Sequence, residues 1–256
     1  MKFSERLRTQ VRKIKPLVVA VRAIRIAVDP VRRTAWMIGR RSPDLLMQPF
    51  PTTSFDRHPG LFGFVKVALA SIESPRVLSY GCSSGEEAIS LARAMPKAFV
   101  KGVDINPVSI KMAEKLQRRQ GLGNVAFAVG QSPFDEAPEA YDAVFCLSVL
   151  RHGALEGGRP ENCSSIMPFS KFETMVAGLD RCLKPGGYLV LWGSHFRFAD
   201  AAASRGYEVI LTMPRRDGFR GALLYGRDNR RLQADFDGEC IFRKKAGDGA
   251  GKLIAT

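Results

Sequence analysis

Five cysteines occur, an odd number, and no two of them form a C-x-x-C pair. Cys82, Cys146, Cys163, Cys182 and Cys240 are scattered, and His58, His152 and His195 add no metal-ligand spacing. That excludes a disulfide framework or a zinc ribbon, and no metal centre is expected. Cys146 and Cys182 read as small buried hydrophobes, which fits a reducing cytoplasm. No run of eighteen apolar residues is present, so no transmembrane helix is expected. The N-terminus lacks an uninterrupted apolar core before a small-residue cleavage site, so no secretory signal is read. There are no internal repeats.

Acidic residues are scarce in one place. Residues 1–41 hold twelve Lys or Arg against two acids, Glu5 and Asp29, a net of +10. The whole chain is +14, so the other 215 residues carry only +4. The basicity therefore belongs to an N-terminal arm. Within it Leu17, Val21, Ile24 and Val28 recur at helical spacing, so residues 1–28 read as a helix. Pro30 is expected to interrupt it, and a second basic piece runs from Val31 to Arg41. An apolar stripe with an arginine face suits an anionic membrane surface. Packing on the core, a nucleic-acid arm and an organellar presequence are the other readings.

With 256 residues and 45% hydrophobic content, one domain plus an appendage is expected. We divide the chain into a basic helical arm (1–41), a linker or lid with a helix before the sheet (42–75), a main domain (76–244) and a frayed tail (245–256). From Val77 onward strands and helices alternate. Strands are expected at 77–80, 99–103, 125–129, 142–148, 187–193 and 207–213, with a last one over Glu239–Arg243. Helices are expected at 61–72, 86–95, 107–120, 169–183 and 197–204, and a hairpin within 222–233. This is an α/β, doubly wound, mostly parallel seven-stranded sheet, its last strand antiparallel.

The stretch Pro75-Arg-Val-Leu-Ser-Tyr-Gly-Cys-Ser-Ser-Gly-Glu-Glu87 reads as strand, glycine turn and helix start. Such a turn cradles a small ligand at a helix N-terminus. A dinucleotide is disfavoured, because only Gly81 and Gly85 are present and Glu86 and Glu87 would repel a pyrophosphate. Gly81-Cys-Ser-Ser-Gly85 also matches G-x-S-x-G, with Ser83 as nucleophile and His152 or His195 as base, a serine-hydrolase reading. The third reading is S-adenosylmethionine, a partly cationic ligand without phosphate, which tolerates the acids. Asp104 closes the second strand 19 residues after Gly85, where a carboxylate accepts hydrogen bonds from ribose hydroxyls.

Gly-Cys-Ser-Ser-Gly-Glu-Glu, Gly-Val-Asp-Ile-Asn-Pro, Tyr141-Asp-Ala-Val-Phe-Cys and Leu183-Lys-Pro-Gly-Gly-Tyr-Leu together resemble the class I S-adenosylmethionine-dependent methyltransferases. Within them the motifs are most similar to the chemotaxis-receptor glutamate methyltransferases. That group carries a Thr-x-Phe-x-Arg-x-Pro element, matched by Thr53-Ser-Phe-Asp-Arg-His-Pro-Gly-Leu-Phe62. The chain departs at Cys146-Leu-Ser148, where the receptor enzymes carry Cys-Arg-Asn. The resemblance implies a Rossmann-like fold, S-adenosylmethionine as cofactor and a place for Arg57 over it.

Ligands in such sheets sit beyond the carboxyl ends of the strands. The expected cofactor residues are Arg57, Tyr80, Gly81, Cys82, Ser83, Gly85, Asp104, Ile105, Asn106, Gln131, Ser132 and Leu147. Gln131 and Ser132 offer acceptors for an adenine amino group. Methyl transfer needs alignment and a dry site more than a strong catalytic group. His152 is the candidate base, with His195 a weaker one, and Arg151–Pro168 the expected acceptor mouth. Nucleic-acid bases are disfavoured as acceptors: no Pro-Cys occurs, and Leu147-Ser-Val-Leu150 replaces the Asn/Asp-Pro-Pro-Tyr/Phe of amino-methylating enzymes. The expected function is methyl transfer to an unidentified acceptor, a small molecule or a membrane-associated lipid or glycan group. The protein is expected in the cytoplasm, peripheral on the inner face of a membrane. A non-catalytic cofactor-binding scaffold is the alternative.

Overall fold

The computed structural model describes residues 20, 24–50, 52–214, 222–234 and 236–246. Most of the expected arm helix and the tail from residue 247 lie outside the described residues.

Seven strands form one sheet in the order β3-β2-β1-β4-β5-β7-β6. They are β1 (Arg76–Tyr80), β2 (Phe99–Asp104), β3 (Val125–Val129), β4 (Tyr141–Leu147), β5 (Leu183–Trp192), β6 (Tyr207–Thr212) and β7 (Glu239–Lys244). β7 runs antiparallel between β5 and β6, while β1 to β5 pair with one another in parallel. β4 is buried at every position, as a strand covered on both faces requires. Its one acid, Asp142, is offset by the Lys184 ammonium at 2.8 Å and the Arg76 backbone N–H at 2.8 Å.

Helices cover both faces. They are α1 (Pro30–Arg41), α2 (Pro59–Ala68), α3 (Glu86–Ala94), α4 (Pro107–Gln120), α5 (Gly153–Gly158) and α6 (Phe169–Cys182). One core layer packs Leu61, Phe62, Ile89, Leu91 and Ile110 of α2, α3 and α4 against Val77, Val100 and Phe145. The other packs Phe172, Val176 and Leu179 of α6, spaced at helical intervals, against Leu78, Val144 and Leu189.

The expected interruption at Pro30 is present: residues 24–28 are helical, Asp29 is not, and Pro30 opens the second piece as a new helix. Asp29 caps α1, its carboxylate accepting from the N–H groups of Val31 (2.9 Å) and Arg32 (3.2 Å), and proline fits the first helical position. Three expectations are corrected. The helix expected at 197–204 is two short 3-10 turns, at Phe198–Asp200 and Ala202–Gly206. Part of the segment expected as the acceptor mouth, 151–168, is α5. The expected hairpin is reduced to a bridge between Tyr225 and Arg231, with Tyr225 buried. Residues 24–28 are helical, and Ile24 and Val28 are 61% and 74% exposed.

Candidate active site

The strand order reverses beside β1, which pairs with β2 on one side and β4 on the other. Past the carboxyl ends of these strands lies a cavity of about 510 Å³. Arg57, Tyr80, Gly81, Ser83, Asp104, Ile105, Asn106, Gln131 and Leu147 all line it. Nine of the thirteen expected site residues are thus in one wall.

The floor comes from a short piece of chain. Gly81 and Gly85 both have left-handed backbone, at φ +74° and +93°. A Cβ on Gly85 would stand 2.6 Å from the Ala113 Cβ and 2.9 Å from the Phe127 ring. Gly85 is therefore demanded by packing as well as by the turn. The Asp104 carboxylate is aimed by two backbone donors: Ser83 N–H to Oδ2 and Asn106 N–H to Oδ1, each at 2.8 Å. Burial raises its pKa, and those two hydrogen bonds pull the other way. The remaining lone pairs of this carboxylate suit a vicinal diol. Behind the turn, burial pushes Glu87 up to about 7, although the Ser79 hydroxyl donates to it at 2.8 Å.

The roof was not anticipated in detail. Ala35 of the arm helix lines the cavity, with Leu46, Met47, Gln48, Phe50 and Thr52 of the linker. The Asn106 amide donates to Val31 O at 2.9 Å, and the Lys171 ammonium donates to Pro43 O and Leu46 O at 2.8 and 2.9 Å. Described residues between Ala35 and Arg57 thus line the same cavity as the glycine turn. No residue in 31–41 carried a local signal for this beyond a basic amphipathic pattern.

Four expected site residues lie elsewhere. Cys82 is buried behind the turn, its thiol pushed well up by burial. Gly85 meets Ala113 and Phe127. Ser132 caps the 3-10 turn Pro133–Asp135, accepting from Phe134 N–H at 3.2 Å. His152 is corrected as the base: it caps α5, its Nδ1 accepting from Ala154 N–H at 3.2 Å, and lines neither this cavity nor the next. His195 is fully buried, its ring nitrogens 2.7 Å from Leu223 O and 3.2 Å from His152 O. Among the described residues no histidine is hydrogen-bonded to Ser83, and β1 is the first strand of the sheet. The hydrolase reading loses its base and its topology.

A second cavity, of about 310 Å³, opens at the end of β5. It shares Arg57, Ser148 and Arg151 with the first. At this seam Ser148 and Gly193 both have left-handed backbone, φ +60° and +68°, and Ser148 N–H donates to Trp192 O at 2.6 Å. Left-handed backbone at a non-glycine residue stores strain, and strain of this kind gathers at functional sites. Arg151 is held by Glu156 at 2.8 Å. The rest of the wall is aromatic, with Trp192, Phe196, Phe198, Phe236 and Phe242, and carries His58, Asp237 and Glu239.

The first cavity is large enough for a nucleoside-sized ligand, and its donor set fits S-adenosylmethionine. Asp104 would take the ribose, the Gly81–Ser83 turn and Arg57 the amino-acid end, and Gln131 the base edge. The paired acids opening α3 disfavour a phosphate there.

Residues 73–200, half of the chain, match the model of a family described as a methyltransferase domain. The chain is similar to phthiotriol/phenolphthiotriol dimycocerosates methyltransferase of Mycobacterium leprae, 29% identical over 46% of this chain and 37% of the relative. It is similar to tRNA (guanine-N(7)-)-methyltransferase of Thermus thermophilus, 31% identical over 52% and 42%. Fatty-acid O-methyltransferase of Mycolicibacterium smegmatis matches at 28% over 51% and 41%. The chain spans about two fifths of the length of these curated relatives. It belongs to the methyltransferase-domain family, with a class I fold and S-adenosylmethionine as cofactor.

Proposed function

We propose that this chain transfers the methyl group of S-adenosylmethionine to an acceptor bound in the second cavity. The observation that carries this reading is the shared wall of Arg57, Ser148 and Arg151 between the two cavities. Bound ligands on either side of that wall would meet at it, which is what an in-line transfer needs. The aromatic wall of the second cavity would keep the reacting atoms dry. From the motif likeness to the chemotaxis-receptor methyltransferases we take the role of Arg57 over the cofactor. The protein glutamate acceptor of that group is not carried over, because Leu147-Ser148 replaces its Arg-Asn.

The acceptor is a small molecule or a lipid- or glycan-linked group at an anionic membrane surface. Two observations support the surface. The arm holds most of the excess positive charge, and its apolar residues Ile24 and Val28 face solvent rather than the core. No helix among the described residues is long and apolar enough to cross a membrane. The arm would lie on the bilayer with α1 still seated over the cofactor.

Methyl-labelled S-adenosylmethionine, incubated with the full chain and a cell extract partitioned into lipid and aqueous fractions, tests the reading. Label is expected in a new product and is lost with Asp104→Ala. Cofactor binding without label transfer in either fraction would leave the scaffold alternative. Flotation with anionic vesicles tests the arm, using removal of residues 1–28 so that α1 and its cap stay. Equal partition of the two forms would overturn the membrane assignment.

A further inference from the structure

The second cavity carries two arginines, two acids and a histidine, set in different places. The two arginines in its wall, Arg57 and Arg151, stand at the seam, and Arg151 is held by Glu156. Arg57 serves the cofactor in the reading above. That leaves Asp237, Glu239 and His58 among the aromatic rings. Among the described residues neither Asp237 nor Glu239 forms an ion pair within 4.0 Å, Arg197 being bonded to Asp200 at 2.9 Å. The buried Nε2 of His58 has no hydrogen-bond partner. Burial and Arg57 lower the His58 pKa to about 4, so the ring is neutral at physiological pH.

Two carboxylates and a neutral imidazole, set among Trp192, Phe196, Phe198 and Phe236, match one class of ligand. A protonated amine satisfies the carboxylates and is attracted to the ring faces. A carboxylate ligand would face like charge there. An alcohol would leave these half-buried carboxylates without a charged partner. We propose that the methyl acceptor held in this cavity is a primary or secondary amine on an apolar or aromatic body, recognised by Asp237 and Glu239. The proposal rests on the methyltransferase reading for the reaction, but the binding site stands on the cavity itself.

The amine enters as an ammonium and passes one proton to a carboxylate of the pair. Its freed lone pair forms the new N–CH3 bond while the S–CH3 bond breaks, that electron pair staying on sulfur. Desolvation raises the pKa of Asp237 and of Glu239; the Glu239 backbone N–H, donating to Asp237 Oδ1 at 3.2 Å, and Arg197 pull Asp237 down while Asp200 raises it, and the Asp237 charge raises Glu239 while Arg197 lowers it. The net direction suits a proton acceptor. The amine can be free or borne on a lipid headgroup.

The test is titration calorimetry of the full chain, with and without S-adenosylhomocysteine, using phenethylamine, phenethyl alcohol and hydrocinnamate as probes. Phenethylamine is expected to bind about tenfold more tightly than the alcohol, the equivalent of one charge-assisted hydrogen bond. The double variant Asp237→Asn, Glu239→Gln is expected to lose that preference and keep S-adenosylhomocysteine affinity. Asp237→Glu, with the charge restored, is expected to keep the preference. Dihexanoyl phosphatidylethanolamine against dihexanoyl phosphatidylglycerol puts the same comparison on a lipid, and tighter binding of the former than of phenethylamine assigns the lipid source. Equal or tighter binding of the alcohol or the carboxylate, or an unchanged preference in the double variant, overturns the amine assignment. If that happens with S-adenosylhomocysteine still bound, the methyltransferase reading survives. Amine preference without any S-adenosylhomocysteine binding supports the amine site and overturns the methyltransferase reading.

Discussion

The two cavities are built in different ways. The floor of the first is laid down by about thirty consecutive residues, from β1 through the glycine turn to Asn106, and much of its shape is backbone. The second is assembled from side chains at 57–58, 148–151, 191–198, 222–224 and 236–242. A binding surface made of local backbone leaves a local signature, because glycine and a strand-end acid are demanded at fixed spacing. A surface made of distant side chains leaves none, and it is free to change its chemistry without disturbing the fold.

Breaking the local half should therefore cost stability. Gly85→Ala places a methyl 2.6 Å from the Ala113 Cβ at φ +93°. A loss of about 3 kcal/mol is expected, read by urea unfolding. Phe236→Leu in the second cavity should cost about 1 kcal/mol, because it trims an edge contact with the Trp192 ring and strains no turn. Equal losses would erase the contrast.

Asp104→Ala sharpens it from the ligand side. Two backbone donors and the ribose would lose a charged acceptor, so S-adenosylhomocysteine should bind about 100-fold more weakly. Phenethylamine binding should be unchanged. A parallel loss of both would mean the cavities are one site.

That asymmetry also sets how much was legible. The strand positions, the glycine turn, Asp104 and Asn106 could be read because each sits where local backbone geometry forces it. The break at Pro30 could be read too, since proline cannot continue a helix but can start one behind the Asp29 cap. His152 was plausible by position after β4, but the helix it caps was hidden in a glycine-rich stretch. Ala35, Met47 and Phe50 could not be read as site residues. They reach the cavity through tertiary contacts, Asn106 to Val31 and Lys171 to Leu46, that no spacing encodes.

Glu87 gives a pH test of the same turn. Its folded pKa of about 7 lies above the ordinary value of 4.5. The folded chain thus holds this proton more tightly than the unfolded chain, and stability falls as pH rises from about 4.5 through about 7. His58, lowered to about 4 from 6.5, acts in the opposite sense between those values. Glu87→Gln isolates the first term. The variant should be more stable than the parent by on the order of 2 kcal/mol above neutral pH, with the difference vanishing in acid. A pH-independent difference would contradict the buried-acid account.

The smallest effect is expected at the roof. Asp29→Ala removes the cap of α1 and should cost about 1 kcal/mol. Because Ala35 lines the first cavity, S-adenosylhomocysteine should bind a few-fold more weakly, with phenethylamine unaffected. Unchanged cofactor affinity would separate the arm from the site.

The central claim is that the first cavity is the cofactor's. The most direct measurement is thermal unfolding of the full chain with S-adenosylmethionine, S-adenosylhomocysteine, NAD or buffer alone. At one hundred times the dissociation constant a ligand stabilises by about 2.7 kcal/mol, a readily visible shift. The account predicts a higher midpoint with the first two ligands only, abolished in Asp104→Ala. A shift with NAD instead, or none with either adenosyl ligand, would contradict it.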